Sequence, residues 1–346
     1  RLNGFEILMA SYAICHLKLE LLLRQSGYDP QSLSRRFNVF LANSLEDADP
    51  ATGTLFASWL SREAREANRV KRDSPVMVVI GNPPYLGEST NKGKWILNLM
   101  GDYKKEPGGK VKLQERNSKW LNDDYVKFIR TGQHYIEKNG SGILAFINPH
   151  GFLDAPTFRG MRWKLMEAFD EIYVLDLHGN SRKKETCPDG SKDENVFDIV
   201  QGVSINIFVK TGKKGLGELA KVHHHEIFGL REQKYDVLET NSFDSLAYQP
   251  LHPTSPNYFF VRTNLENQNA YHQGLPINEL FNDCNMGITS GNDGGYISFD
   301  RGFLCEKYPP ANVKEIAYRV FDNRFINYDP TLLARARFDF MSHFKE

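Results

Sequence analysis

The sequence predicts an α/β protein whose sheet is largely parallel, followed by a smaller and less regular α+β region. Two apolar runs, at 76–81 and 142–148, predict buried strands, and the first consists mostly of β-branched residues, as in a strand buried on both faces. Amphipathic segments of helical periodicity separate the predicted strands. After Lys210 this alternation of strand and helix is lost, and Asn, Pro and Tyr become frequent. The pattern therefore predicts an α/β domain that precedes a second region.

The remaining elements are predicted from the same periodicities. Apolar residues three or four positions apart predict helices, and short apolar or alternating runs predict strands. The predicted helices cover 5–24, 54–70, 125–137, 157–169 and 330–344, and the further strands cover 37–42, 171–177 and 203–209. The Gly- and Lys-rich turn at 211–217 suggests a boundary, so we expect domains at 1–215 and 216–346.

A basic stretch at 86–121 interrupts the predicted α/β pattern. It contains seven lysines and one arginine against four acidic residues, together with Trp95 and Trp120. Its many glycines and its charge predict a long mobile insertion.

Composition excludes several classes of protein. The chain has 346 residues, 43 Lys and Arg against 43 Asp and Glu, and 40% hydrophobic residues, which argues against a disordered or uniformly basic protein. No apolar run reaches the roughly 18 residues of a membrane helix. The four cysteines lack CxxC spacing, and the neighbouring His223, His224 and His225 point to opposite faces of a strand. We therefore expect reduced thiols, a cytoplasmic protein that does not enter membranes, and no metal site.

The most informative motif is Asn82, Pro83, Pro84 and Tyr85, directly after the first apolar run. Ligands of open α/β sheets bind beyond the carboxyl ends of strands. The prolines stiffen the loop, and the Asn82 side-chain carbonyl and Pro83 main-chain carbonyl can accept two hydrogen bonds from one planar amino group. Tyr85 offers a flat face for stacking on a heteroaromatic ring. A plain rigid turn after a strand is the alternative interpretation.

This motif resembles the signature of S-adenosylmethionine-dependent amino methyltransferases, chiefly enzymes that methylate adenine N6 in DNA. Further stretches resemble large bacterial restriction–modification polypeptides, in particular single-polypeptide Type I-like and Type IIG-like enzymes. These stretches are PTFRGMR at 156–162, FDEIYVLDLHGN at 169–180, DENVFDI at 193–199 and QGV at 201–203. The resemblance covers residues 1 to about 210, and 287–289 and 318–324 look like the region leading into target recognition. It implies a Rossmann-like methyltransferase sheet.

The resemblance also implies roles for residues outside the motif. Glu6, at the end of a short strand, would bind the cofactor ribose, or it simply caps the following helix. Asn43 and Ser44 would contact the cofactor adenine, or they form an ordinary strand-end turn. Phe197 would stack on the target base beside Tyr85, or it belongs to the core.

The methionine-binding glycine loop of such enzymes has only an imperfect counterpart at 49–54, which lacks the second glycine and follows no apolar strand. We read this as an accidental match, and likewise the phosphate-loop-like stretch at 87–94. We therefore expect the true loop and the first strand of the sheet to lie upstream of Arg1, so that this chain contains an incomplete cofactor site.

The resemblance predicts site-specific adenine-N6 methylation of double-stranded DNA in the bacterial cytoplasm, with S-adenosylmethionine as cofactor. Nuclease and helicase-like domains of the same polypeptide are possible partners. A protein glutamine-N5 methyltransferase and a non-catalytic DNA-binding fragment are the alternatives. The basic side chains expected to contact DNA are Lys92, Lys94, Lys104, Lys105, Lys110, Lys112, Arg116 and Lys119.

Overall fold

The computed structural model describes residues 2–27, 36–46, 57–85, 87, 89–115, 118–215, 217–262, 273–280, 287–319 and 321–335. The chain divides into two compact units, Arg1–Thr263 and Asn264–Glu346. Arg116, the stretch 49–54 that imperfectly matches a glycine loop, and most of the predicted helix at 330–344 lie outside the described residues. The described part of that helix, 330–335, is a turn instead.

The first unit contains seven helices and eight strands among its described residues. The helices are α1 (Met9–Gln25), α2 (Ala57–Asp73), α3 (Lys94–Met100), α4 (Asp124–Asn139), α5 (Gly151–Asp154), α6 (Arg159–Ala168) and α7 (Arg231–Thr240). The strands are β1 (Gly4–Glu6), β2 (Val39–Leu41), β3 (Val78–Gly81), β4 (Gly142–Pro149), β5 (Glu171–Asp176), β6 (Val203–Lys210), β7 (Lys221–Glu226) and β8 (Gln249–Leu251). None of the described helices is long and apolar enough to cross a membrane.

The strands of this unit form a two-stranded and a six-stranded sheet. β1 and β2 are parallel. The larger sheet has the order β3-β4-β6-β5-β7-β8, in which β3 and β4 are parallel and so are β5 and β7. β6 runs antiparallel to both of its neighbours, and β8 is antiparallel to β7. The α/β class predicted from the sequence is confirmed, but the sheet is mixed because β6 enters it between β4 and β5.

β3 differs from its prediction as a strand buried on both faces. It is the terminal strand of the six-stranded sheet, and the side chains of Val78 and Ile80 are 60% and 78% exposed. Val79, between them, packs against the main core. An apolar run indicates that a strand can be buried. It does not reveal whether other elements cover both faces of that strand. The prediction of full burial was therefore wrong for β3.

The stretch 86–121 is a folded part of the core, which contradicts its prediction as a mobile insertion. It contains α3, a β-bridge between Lys105 and Lys112, and a short 3-10 helix at Lys119–Asn122. Ile96, Met100 and Tyr103 are at most 1% exposed and belong to the main hydrophobic cluster with residues of α4 and α6. Some of its apolar residues thus belong to the core, which net charge alone does not reveal.

Ion pairs fasten the same stretch to the helices beneath it. Arg159, at the start of α6, donates from Nε and Nη2 to the Glu106 carboxylate at 2.7 and 2.6 Å. Its Nη1 donates to Glu115 Oε1 at 2.5 Å. From α4, Arg130 donates to Asp102 Oδ2 at 2.8 Å. Three of the charges that suggested a solvated loop, on Asp102, Glu106 and Glu115, are therefore bound within the fold.

The first compact unit extends well beyond the boundary predicted near 215. β7 pairs with β5 along six residues, and β8 extends the sheet further. The buried Arg162 of α6 donates to the main-chain carbonyl of Asn257 at 2.6 and 3.0 Å, and Phe260 is fully buried in the main core. The loss of regular alternation after Lys210 marks irregular loops, while the chain continues the same sheet.

The second unit is smaller. Its described helices are α8 (Ile277–Leu280), α9 (Asp293–Tyr296) and α10 (Arg301–Lys307), and its strands are β9 (Ile297–Ser298), β10 (Val313–Arg319) and β11 (Asp322–Asn327). The three strands form one antiparallel sheet in the order β10-β11-β9. This arrangement confirms a smaller α+β region, and its role in target recognition stays a prediction.

Candidate functional site

The carboxyl ends of four strands lie at one edge of the six-stranded sheet. Gly81 at the end of β3 pairs with Phe146 of the parallel strand β4. Pro149 at the end of β4 and Asp176 at the end of β5 are joined through the start of β6. β7 ends at the same level, where Glu226 pairs with Asp176. Residues that follow these ends, including Asn82–Tyr85, are thus gathered along one edge.

The Asn82–Tyr85 motif directly follows β3 at this edge. Asn82 and Pro84 are exposed, whereas Pro83 is buried and Tyr85 is half-buried. The Tyr85 hydroxyl lies 2.7 Å from Asn82 Oδ1 and 3.1 Å from the main-chain oxygen of Ile147 on β4. A hydroxyl has one proton to donate, so Tyr85 can bind the Asn82 carbonyl or the β4 backbone at a given moment.

Tyr85 is held between the two hydrophobic clusters of the first unit. Its ring packs against the main cluster and against a smaller one formed by Leu175, Leu177, Val196, Val203 and Ile227. Burial raises the pKa of Tyr85 to about 12. The hydroxyl is therefore protonated at neutral pH and available as a donor to Asn82.

Phe197 lies in the long loop that joins β5 to β6. It packs against the same smaller cluster as Tyr85 and lines a cleft of about 600 Å³ together with Gly179, Asn195 and Arg231. The structure thus places both predicted stacking residues on one apolar cluster. Whether Phe197 contacts a base stays a prediction.

This loop is anchored by a buried ion pair. Lys234 of α7 and Asp193 are both fully buried, with Nζ 2.7 Å from Oδ1. Lys234 also donates to the main-chain oxygens of Leu177 and Glu194 at 2.7 and 2.6 Å, and Asp193 accepts from the backbone of Gly179 at 2.7 Å. Pairing and hydrogen bonding offset the cost of burying both charges, so the loop is fixed on α7.

Glu6 lies at the carboxyl end of β1, as predicted. One of its carboxylate oxygens, Oε1, accepts a hydrogen bond from the main-chain N–H of Leu8 at 2.8 Å, just before α1. Oε1 of Glu6 therefore binds the backbone at the start of the helix, as the capping interpretation predicts. The ribose interpretation needs the other oxygen and stays a prediction.

Asn43 and Ser44 follow the end of β2, as predicted, and both are half-buried. The Asn43 side chain donates to Asn91 Oδ1 at 2.7 Å, and Asn91 in turn donates to Asp124 Oδ1 at 3.0 Å. The buried Lys127 of α4 donates to the main-chain oxygen of Asn91 at 2.5 Å and to the hydroxyl of Ser89. This polar chain, which the sequence did not reveal, connects the end of β2 with the segment that follows the Asn82–Tyr85 motif.

The predicted DNA-contact residues differ in exposure. Lys104 and Lys105 are half-buried and donate to Asn122 and Asp102, at 2.7 and 3.1 Å. Burial lowers the pKa of Lys104. The other described lysines of the set are exposed and thus accessible to a polyanion: Lys92, Lys94, Lys110, Lys112 and Lys119.

A cluster of His150, His178 and Glu185 at the same edge was missed by sequence reasoning. Burial alone would lower the pKa of His178, but the carboxylates of Glu185, Glu226 and Asp176 outweigh it and raise this pKa to about 9. The spacing of His150, His178 and Glu185 along the chain matches no short metal-binding motif. The available signal was the position of His150 and His178, each just beyond the end of a predicted strand.

Comparison with protein-family models identifies the family of this chain. Residues 3–182 match the model of the Eco57I restriction-modification methylase family. The chain belongs to this family. The matched region contains β1 to β5 and therefore includes Glu6, Asn43, Ser44, the Asn82–Tyr85 motif and the whole stretch 86–121.

Solved structures of proteins in complex with DNA share the fold of this chain. The chain is similar to the DrdV–DNA complex, with a TM-score of 0.69 and 21% identity, over 96% of this chain and 37% of that one. It is also similar to the ATP-dependent Type ISP restriction-modification enzyme LlaBIII bound to DNA, with a TM-score of 0.72 and 20% identity, over 96% of this chain and 26% of that one.

A third similar structure is a nuclease-deletion mutant of the Type ISP enzyme LlaGI in complex with a DNA substrate mimic, with a TM-score of 0.72 and 17% identity. The match covers 97% of this chain and 32% of that one. The chain thus spans between about a quarter and two fifths of these three structures. A search of curated proteins finds no match.

Proposed function

We propose that this chain carries the methyl-transfer site of a restriction–modification enzyme that methylates the N6 amino group of adenine in double-stranded DNA. The observation that carries the proposal is the placement of Asn82–Tyr85 at the carboxyl edge of the sheet, with Asn82 exposed and Tyr85 half-buried beside it. Membership of a methylase family supports the reaction type. The adenine substrate is inferred from the chemistry of the motif.

Two carbonyl oxygens of the motif fit an aromatic amino group. The second lone pair of Asn82 Oδ1 stays available while Tyr85 binds the first. Among the residues that the structure describes, none donates to the main-chain carbonyl of Pro83. Two acceptors on one NH₂ group favour a tetrahedral nitrogen, in which the lone pair is no longer conjugated with the ring and can attack a methyl group.

The Tyr85 ring provides the surface on which a target adenine would stack. A base inside duplex DNA must first be flipped out, which costs a few kcal/mol. Stacking on an aromatic side chain stabilises the flipped base by about 1–3 kcal/mol. Phe197, which packs on the same apolar cluster, is the proposed second aromatic contact.

The residues present fit one part of the S-adenosylmethionine cofactor that the family implies. The free carboxylate oxygen of Glu6 suits the ribose hydroxyls, and the polar ends of Asn43 and Ser44 beyond β2 suit the adenine. When bound, this cofactor supplies a methyl group activated by a positively charged sulfur. The part of the site that would hold its methionine group has no candidate among the described residues.

Exposed lysines on the folded stretch 86–121 are the proposed phosphate contacts. We place Lys92, Lys94, Lys110, Lys112 and Lys119 in this role, because accessible cations on a fixed surface can replace counterions of the DNA backbone. The similar structures are complexes with DNA, which supports DNA as the partner. Nuclease and helicase-like domains, target recognition by the second unit, and a bacterial cytoplasmic location belong to the same proposal.

Transfer of a tritiated methyl group from S-adenosylmethionine to duplex DNA tests this function. The assay uses a protein in which this chain is joined to the methionine-binding part of the site. In that protein we expect Asn82→Ala and Tyr85→Ala to reduce the transfer rate at least about 100-fold, since each removes an interaction with the reacting base. Asn98→Ala, an exposed asparagine on α3, is the matched control and should leave the rate unchanged.

The acceptor distinguishes the alternatives. Label appearing in adenine N6 supports the proposal, whereas label in the glutamine side chain of a protein would favour a glutamine methyltransferase. Undiminished transfer to DNA by Asn82→Ala would contradict the assignment. DNA binding without transfer by the protein that contains the complete cofactor site would favour a non-catalytic module.

A further inference from the structure

The cluster of His150, His178 and Glu185 brings three potential metal ligands together at the carboxyl edge of the sheet. His150 directly follows β4, His178 lies two residues after β5, and Glu185 lies in the loop beyond. Within the described ranges, one ligand atom of each lies within 4.8 Å of the others. Glu185 Oε1 is 3.9 Å from His150 Nε2 and 3.9 Å from His178 Nδ1.

Each imidazole of this cluster also has a carboxylate behind it. His150 Nδ1 lies 3.0 Å from Asp176 Oδ1, and His178 Nε2 lies 3.4 Å from Glu226 Oε2. A carboxylate on one ring nitrogen holds a proton there, so the other nitrogen is the one that can bind a metal. In His178, whose pKa is raised, this nitrogen would release its proton when the metal binds. In both residues this second nitrogen is the one that faces Glu185. The same arrangement, histidine between carboxylate and metal, is usual at protein metal sites.

The surroundings fix these rings in place. His178 stacks on Phe228 with ring centroids 3.9 Å apart and an angle of 15°. His150 is 6% exposed and fits against Gly202, where a Cβ would lie only 2.4 Å from its Cε1. Glu185 uses Oε2 to accept the main-chain N–H of Asn180 at 2.8 Å, which leaves Oε1 for the centre of the cluster. The ligand atoms are therefore positioned by packing and hydrogen bonds that lie outside the centre.

We propose that His150 Nε2, His178 Nδ1 and Glu185 Oε1 bind a divalent transition metal of the zinc class. Two imidazoles and one carboxylate form a ligand set that zinc accepts, with bonds of about 2.0–2.2 Å. Tetrahedral binding at such lengths requires ligand atoms about 3.4 Å apart, so the observed 3.9 Å separations would contract by roughly half an ångström. The Asn180 amide, 3.2 Å from His150 Nε2, would turn aside, and a water molecule would complete the coordination.

The position of this site indicates a structural role for the metal. It would join the end of β4, the end of β5 and the loop between β5 and β6, which also contains Phe197. The Lys234–Asp193 pair anchors a later part of that loop, and the metal would anchor its beginning. This inference stands apart from the methyl-transfer proposal, since it concerns binding and stability alone.

Metal titration of the full chain tests the proposal. After treatment with a chelator, we expect the protein to bind one equivalent of Zn²⁺ in calorimetry, with an increase in Tm. Co²⁺ should bind with the visible absorption of a tetrahedral site that has nitrogen and oxygen ligands. His178→Ala and Glu185→Gln should weaken Zn²⁺ binding at least about 100-fold, and Glu226→Gln, which removes a carboxylate behind a ligand, about 10- to 100-fold.

His252→Ala is the matched control, because His252 is exposed and outside the cluster. It should bind Zn²⁺ as the unmodified protein does. The proposal is overturned if the chelator-treated protein binds no Zn²⁺, or if Glu185→Gln and Glu226→Gln bind it as tightly as His252→Ala. These two substitutions keep the side-chain volume, so they remain informative even where His178→Ala fails to fold.

Discussion

At the scale of single residues, the hydroxyl of Tyr85 has a function that is separate from its ring. The ring is the proposed stacking surface, whereas the hydroxyl is 2.7 Å from the Asn82 side-chain oxygen. Because Asn82 is exposed, little else in its surroundings restricts rotation of its amide. The Tyr85 hydrogen bond therefore orients the carbonyl that would receive the substrate amino group.

Removing only this hydroxyl separates the two roles. We expect Tyr85→Phe to lower the single-turnover rate of methyl transfer about fivefold, since a neutral hydrogen bond contributes about 1 kcal/mol. The loss should be far smaller than that of Tyr85→Ala. Tyr248→Phe is a matched control, because Tyr248 packs on the same smaller cluster. A Tyr85→Phe rate equal to that of Tyr85→Ala would contradict this division.

Single residues also show what sequence reasoning could find. The Asn82–Tyr85 motif is contiguous, so its position after a strand was predictable from local pattern, and Glu6, Asn43 and Ser44 lie at strand ends as predicted. His150 and Glu185 are far apart in the chain and meet only because β4, β6 and β5 are neighbours in the sheet. The antiparallel entry of β6 creates that proximity, and no local periodicity encodes it.

At the scale of elements, the folded stretch 86–121 depends on the Arg159 ion pairs. The hydrogen bond from Arg159 lowers the pKa of Glu106, and the side chains of Arg159 and Glu106 are only 12% and 23% exposed. A carboxylate with a lowered pKa stabilises the folded state above its unfolded pKa of about 4.3 and loses this contribution as the pH falls through the folded value. The attachment of this stretch should therefore weaken in acid.

A comparison of Arg159→Ala with the unmodified chain at two pH values tests this attachment. At pH 7 we expect the free energy of unfolding in urea to fall by about 1–3 kcal/mol, the contribution of hydrogen bonds to charged groups. At a pH below the lowered pKa of Glu106 the difference should shrink, because protonation removes the carboxylate charge that binds Arg159. Arg182→Ala, an exposed arginine, should have little effect at either pH. An equal loss at both pH values would rule out the proposed dependence on ionised carboxylates.

The strands and helices themselves were largely predictable. Buried periodic segments such as β4, β5 and α4 match their predictions within two residues at each end, because apolar pattern and burial coincide there. β3 shows the limit of this reasoning. Its composition resembles that of a central strand, but its place at the end of the sheet leaves Ile80 exposed. The order of strands in a sheet cannot be predicted from a four-residue run.

At the scale of the whole molecule, the first compact unit ends at 263 and includes β7 and β8. Arg162 explains why the later segment is required. Its guanidinium is fully buried and donates to the main-chain oxygens of Phe152, Ala155 and Asn257. Without residues after 215, this charge would lose one of its acceptors, and the β5 edge would lose β7.

Two truncated chains test this division. We expect residues 1–262 to unfold cooperatively in urea. Residues 1–215 should lose stability or the cooperative transition itself, because the hydrogen bond from Arg162 to Asn257 alone contributes about 1.5–3 kcal/mol and the pairing of β7 with β5 is lost as well. Circular dichroism and intrinsic fluorescence would follow both transitions. Equal stability of the two chains would show that the first unit ends near 215 after all.

The folding of the stretch 86–121 has a consequence for DNA affinity. Ordering a flexible segment on binding costs about 1–2 kcal/mol of backbone entropy per residue. In this protein that cost is met during folding, by the burial of Met100 and Tyr103 and by the Arg159 ion pairs. In the proposed DNA complex, an already folded segment would therefore present the exposed lysines, and the release of counterions from DNA would contribute to affinity without an opposing entropy of ordering.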